Sequence, residues 1–123
     1  MAEPAYLLDS NICIYVLRDA ASTAAIRLGK CRSGSVVTSA IVYAELLRKA
    51  PAGAELEAFF RLVPVLPFDM AAAQAYASIP SKRGTFDRLI AAHALSRELI
   101  LVTNNVRDFA DIADLRVENW AIA

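Results

Sequence analysis

The sequence predicts an α/β fold with a central, mostly parallel sheet of about five short strands. Three observations lead there. Apolar runs of strand length recur at residues 5–8, 36–38, 63–66, 100–103 and 115–118. Stretches with helical spacing of apolar residues stand between most of them. The chain has 123 residues, of which 57% are hydrophobic, and a mean hydropathy of +0.40. That supports a real core and is too short for two ordinary domains, so one domain over residues 1–123 is expected.

The elements follow in order. Ala5-Tyr6-Leu7-Leu8 is a buried strand closed by Asp9. Residues 12–18 have helical spacing, and residues 22–32 form a second helix with Ser22 as its cap. Ser33-Gly34 breaks the chain before the strand Val36-Val37-Thr38 and a helix over 41–49. Pro51 opens a further helix to about Leu62. Val63-Pro64-Val65-Leu66 is a strand that tolerates its proline only at a sheet edge. Asp69 caps a helix over 70–78, and residues 80–84 are a loop. A helix over 86–96, a strand over 100–103, a helical turn over 106–112 and a strand over 115–118 complete the chain. No repeat, linker or low-complexity tract interrupts it.

Composition excludes several classes. Thirteen basic and thirteen acidic residues give zero net charge, so no general nucleic-acid-binding field is expected. The basic residues are mostly arginine, which suits phosphates and partner carboxylates, so RNA binding would come from local clusters. Cys13 and Cys31 form no CxxC pattern, which argues against a disulfide scaffold or zinc site and for a reducing cytoplasm. Asp9 interrupts the N-terminal apolar run, so no signal peptide is expected, and no apolar stretch approaches the ~20 residues of a membrane span. The apolar load is high for so small a domain. Either Ala-rich helices pack closely or a partner chain covers part of the surface.

The carboxylates have an informative placement. Ligands of open parallel sheets bind beyond the carboxyl ends of the strands. Asp9 ends the first strand, Glu45 lies in the helix after the second, and Asp108 follows Thr103-Asn104-Asn105 at the end of the fourth. Asp87 opens the helix that precedes the fourth strand, and the N-terminus of that helix falls at the same edge. The four acids can therefore converge. Such a cluster repels itself unless a cation is present. Hard oxygen donors suit Mg²⁺ or Mn²⁺, which can polarise a phosphoryl oxygen and lower the pKa of a bound water. The chemistry implied is water attack on a phosphodiester. Ser10, Asn11, Thr103 and Asn105 can hydrogen-bond the carboxylates or a metal-bound water. Each residue also has a structural explanation. Asp9 and Asp87 could cap helices, Glu45 could be a solvated helix residue, and Asp108 could belong to a surface turn. Lys82, Arg83 and Arg88 flank Asp87 and could hold an RNA backbone, or could line a solvated loop.

Four segments taken together are distinctive. Leu7-Leu8-Asp9-Ser10-Asn11-Ile12, Tyr43-Ala44-Glu45-Leu46, Asp87-Arg88-Leu89-Ile90-Ala91-Ala92-His93-Ala94 and Val102-Thr103-Asn104-Asn105-Val106-Arg107-Asp108-Phe109, with the closing Val117-Glu118-Asn119-Trp120, resemble the PIN domain. Within that family they resemble the VapC toxins of bacterial toxin–antitoxin pairs. The resemblance implies a three-layer α/β/α domain and a Mg²⁺- or Mn²⁺-dependent endoribonuclease. It also implies a homodimer, neutralised by a VapB-type antitoxin in a higher-order toxin–antitoxin assembly. The family's three central acids map onto Asp9, Glu45 and Asp87. Its fourth acid often falls where this chain has Asn105, and the nearest acid here is Asp108.

Other readings are weaker. A receiver-like signalling domain has similar length, and Asp69 follows its third strand, yet the acidic pair and the lysine of that chemistry are missing. A metal-free module that docks a partner or RNA remains an alternative, with the acids as caps. His93 is the sole histidine, which excludes a paired-histidine ribonuclease, and its apolar helix makes it a packing residue. Asn11 stands where a haloacid-dehalogenase pattern needs aspartate.

Overall fold

A computed structural model describes residues 2–49, 53–82 and 84–122. The described chain runs β1 (Tyr6–Leu8), α1 (Ser10–Arg18), α2 (Thr23–Gly29), β2 (Val36–Ser39), α3 (Ala40–Lys49), α4 (Ala54–Leu62), β3 (Val65–Leu66), α5 (Met70–Ser78), α6 (Thr85–Ser96), β4 (Ile100–Val102), a 3₁₀ turn (Val106–Phe109) and β5 (Val117–Glu118). Pro51 lies outside the described residues. The helix expected over 22–32 ends at Gly29, and the turn expected over 106–112 ends at Phe109.

All five strands are parallel, in the order β3-β2-β1-β4-β5. Register places Leu8 beside Thr38 and Val102. Pro64 precedes β3 at the sheet edge, where its missing N–H costs no ladder bond and its carbonyl accepts from the Thr38 N–H at 3.0 Å. From β1 the chain steps to β2 and β3 on one side, then crosses back to β4 on the other. By the right-handed rule for parallel crossovers, this strand order assigns α1–α4 to one face of the sheet and α5–α6 to the other, which makes three layers.

The core is apolar on both faces of the central strands. Leu7, Leu8, Val37, Leu101 and Val102 meet Ile12, Val42, Leu46, Ile90, Ala91 and Ala94 from the helices. Trp120 is fully buried, its ring centroid 5.1 Å from that of Tyr6, and the Arg27 guanidinium lies over the indole ring, 5.1 Å from the ring centroid. Side chains set the helix entries. Ser22 accepts the Ala25 N–H, and Asp69 accepts the Ala72 N–H. Asp69 is thus a helix cap. His93 is fully buried, shares a 2.7 Å hydrogen bond with the Ser39 hydroxyl and meets the Phe68 ring edge-on. Burial lowers its pKa, so a neutral imidazole packs there. Among the described residues, no helix is long and apolar enough to cross a membrane.

Candidate active site

The strand order reverses between β1 and β4, and the chain leaves their carboxyl ends in opposite directions. A crevice opens there for geometric reasons. Asp9 sits at its floor, the first residue after β1, with its N–H bonded to the Val102 carbonyl at 3.0 Å. One carboxylate oxygen accepts the Ile12 N–H at 3.0 Å, so Asp9 also caps α1. It is only 6% exposed.

Glu45 and Asp87 reach the same cavity from α3 and α6. Its volume is about 440 Å³, and Asp9, Ser10, Glu45, Lys49, Gly84 and Asp87 are among its walls. The Ser10 hydroxyl donates to Glu45 at 2.6 Å, which fixes that carboxylate's direction. Lys49, one helical turn on, stands 3.6 Å from the other Glu45 oxygen. Asp87 lies in the first turn of α6, where the helix dipole favours negative charge. Gly84 caps that helix in the left-handed region, at φ +80°.

Three carboxylates against one ammonium leave an excess of negative charge in the cavity. Burial first, and the charges of Asp87 and Glu45 after it, push the Asp9 carboxyl up to about 6 in spite of hydrogen bonds from Thr103 and the Ile12 N–H that favour its charge. Partial desolvation also raises Asp87, followed by the charges of Glu45 and Asp108. The Cys13 thiol beneath Asp9 is driven up first by burial and then by Asp9, so it is not a nucleophile at neutral pH.

Asp108 stands apart from this cavity. With Asp87 it lines an adjoining space of about 390 Å³, walled also by Lys82, Arg88, Arg107 and Phe109. Asp87 therefore faces both spaces. The Asn105 amide donates to Asp108 rather than into the main cavity. Asn11 borders the main cavity, and its amide donates to Asn104, which in turn donates to the Tyr15 hydroxyl. Ser10 and Thr103 thus contact acids as expected, whereas Asn11 and Asn105 differ. Asn11 braces a neighbouring loop, and Asn105 braces Asp108.

The basic residues also differ from expectation. Arg88 is buried, and its guanidinium is bound by Asp111 and the Asp108 carbonyl, so it is not offered to an RNA backbone. Lys82 is exposed and 3.4 Å from Asp111. Arg83 lies outside the described residues. The structure adds Lys49 to the cavity wall, which the spacing to Glu45 could have flagged. It also adds Asp111, far from Arg88 in sequence and without any local signal.

The donors suit a hard divalent cation. They are carboxylate and hydroxyl oxygens, and neither thiol nor imidazole lines the cavity. Among the described residues, no three His, Cys, Asp or Glu side chains are gathered tightly enough to enclose an ion. An open set of this kind fits Mg²⁺, which binds through one or two carboxylates and keeps several waters.

Comparison with known proteins gives the family and the fold. A family model described as PIN domain matches residues 6–115. The chain is 34% identical to a tRNA(fMet)-specific endonuclease VapC from Shigella flexneri, over 94% of this chain and 98% of that one. It is 35% identical to ribonuclease VapC2 from Haemophilus influenzae, over 94% and 97%. Its fold matches a chain of the DNA-bound VapBC structure from Salmonella typhimurium with a TM-score of 0.81 and 28% identity, covering 95% of this chain and 98% of that one.

Proposed function

This chain belongs to the PIN domain family, and from that premise we propose that it is the toxin of a toxin–antitoxin pair, an endoribonuclease neutralised by a VapB-type antitoxin. Its VapC relatives and the VapBC structure it resembles support the nuclease class and the partner class. We further propose that residues 1–123 act as one domain, that hydrolysis depends on Mg²⁺ or Mn²⁺, and that Asp9, Glu45, Asp87 and Asp108 hold the ion. The observation that carries this reading is Asp9. A buried carboxyl pushed up to about 6, facing two further acids across one cavity, is costly unless a cation or proton joins it.

Bound here, a divalent ion would lower the pKa of a water and polarise the phosphoryl oxygen. The chain's own residues do the rest. Ser10 holds Glu45 in one orientation, and Thr103 with the Ile12 N–H holds Asp9. Lys49, 3.6 Å from Glu45 on the cavity wall, offers its ammonium to a phosphate brought into the cavity. Lys82, exposed beside the second space, offers a further phosphate contact. Hydrolysis adds water across one P–O bond and leaves a phosphate monoester and a hydroxyl.

The partner reading draws on the surface. Tyr43, Leu47, Leu62 and Met70 are exposed, so the apolar excess of the sequence does emerge at the surface. An antitoxin and a second copy of the chain would cover such side chains. A basic antitoxin side chain would find its counter-charge in the acidic cavity.

The test is cleavage of purified tRNA, with tRNA(fMet) as the first substrate because the Shigella relative is named for it. Cleavage should need Mg²⁺ or Mn²⁺, stop with a chelator, and be lost in correctly folded Asp9→Asn and Asp87→Asn proteins. Undiminished Mg²⁺-dependent cleavage by Asp9→Asn would falsify the site.

A further inference from the structure

We infer that Arg88 is a positioning residue for the metal site, holding the turn that carries Asp108 against the helix that carries Asp87. The inference rests on the proposal that Asp108 is the fourth ligand.

Arg88 follows Asp87 directly on the first turn of α6, yet the two side chains go different ways. Asp87 opens to the cavities, whereas Arg88 is 3% exposed. Its guanidinium donates from Nη1 to Asp111 Oδ2 at 3.0 Å and from Nη2 to Asp111 Oδ1 at 2.9 Å. Nη2 also donates to the main-chain carbonyl of Asp108 at 2.8 Å. Paired parallel bonds between two planar groups fix orientation as well as distance. Lys82 adds a second cation at 3.4 Å from the same Asp111 oxygen.

What Arg88 grips is a weak element. The segment Val106–Phe109 is a single 3₁₀ turn, and no side chain caps its start. Asn105, at the start of the turn, braces the Asp108 side chain and accepts its N–H at 3.1 Å, but a single 3₁₀ turn supplies few bonds to hold that pair against α6. Asp87 and Asp108 share one space and carry like charge, so repulsion would drive the turn away from α6. The Arg88 clamp opposes that movement from the Asp108 backbone and from a residue three positions further on. A plain buried ion pair could sit anywhere in the fold. This one joins the backbone of one proposed ligand to the residue next to another.

The experiment is Mn²⁺ titration of the full chain, followed by electron paramagnetic resonance, on wild type, Arg88→Met, Asp111→Asn, Asp108→Asn and Arg88→Met/Asp108→Asn. Arg88→Met should weaken Mn²⁺ binding about tenfold or more, as loss of a partner behind the ligands does. Asp111→Asn should weaken it in the same direction, and it decides the matter if Arg88→Met does not fold. In the Arg88→Met background, Asp108→Asn should change affinity by less than about twofold, because its contribution is already gone. The bound-Mn²⁺ spectrum of Arg88→Met should match that of Asp108→Asn, a signature that lost stability alone does not produce. Wild-type affinity in Arg88→Met, or fully additive losses in the double variant, overturns the inference and leaves the metal site standing. A wild-type chain that binds no Mn²⁺ overturns the metal site and the inference together.

Discussion

Asp9 serves the fold and the proposed chemistry with the same carboxylate. One oxygen caps α1, and the group as a whole faces a cavity with two other acids. The folded protein holds its carboxyl at about 6 against an ordinary 3.8, so between these values the folded state binds more protons than the unfolded one. Stability contributed by that proton is present below about pH 4, is lost as pH rises through 6, and stays lost above. Each tenfold change in proton affinity is worth about 1.4 kcal/mol, which sets a ceiling of about 3 kcal/mol, and residual solvation leaves roughly 1–2. Metal-free protein should therefore melt higher at pH 5 than at pH 7.5, and added Mn²⁺ should restore much of the difference at pH 7.5. Asp9→Asn keeps a capping oxygen and removes the charge, so it should raise the melting temperature at pH 7.5 and flatten its pH dependence. A lower melting temperature in calorimetry would show that the negative charge is not strained. At the neighbouring turn, Asp108→Ala should weaken Mn²⁺ binding more than Asn105→Ala does, since a charged oxygen attracts the ion more strongly than an amide that only braces it. The reverse ranking in titration would move the ligand role to Asn105.

At the scale of elements, α6 is the most demanding piece. It brings Asp87 to the cavity mouth and buries Ile90, Ala91, Ala92 and Ala94 in the core. Its entry turns on Gly84, whose φ of +80° is open to glycine and strained for other residues. Gly84→Ala should cost about 1–2 kcal/mol in urea unfolding and tilt the first turn that carries Asp87. Gly29 gives the contrast. It ends α2 without positive φ, and an added Cβ there meets nothing within 4 Å. Gly29→Ala should be neutral or stabilise by roughly 0.4–1 kcal/mol. Equal losses at the two positions would remove the case for a conformational role of Gly84.

At the scale of the molecule, a neutral chain with exposed Tyr43, Leu47, Leu62 and Met70 is built to meet protein more readily than to attract nucleic acid at long range. Expression of the chain alone should arrest bacterial growth, and co-expression of the neighbouring antitoxin gene should relieve the arrest. Asp9→Asn should be harmless alone and still co-purify with the antitoxin, because most of the proposed interface is apolar and remote from the acids. Harmless wild-type expression with no small partner recovered would end the toxin reading and favour a housekeeping nuclease.

Much of this was legible in the sequence. The five strands, the order of the elements, the edge position of Pro64 and the caps at Ser22 and Asp69 depend on local spacing and short-range hydrogen bonds, which a sequence displays. The gathering of Asp9, Glu45 and Asp87 followed from parallel topology, because strand ends and helix starts must share one edge. Tertiary structure alone decided the rest. Asp108 lies in a second space beside Asp87, since a 3₁₀ turn after β4 has no spacing that aims its side chains. Arg88 faces inward to Asp111 although its neighbours in sequence suggested an exposed basic cluster, because a partner 23 residues away sets its direction. Local patterns determine which backbone forms and where its ends fall. Which charged groups pair across those ends depends on distances that exist only once the layers have packed.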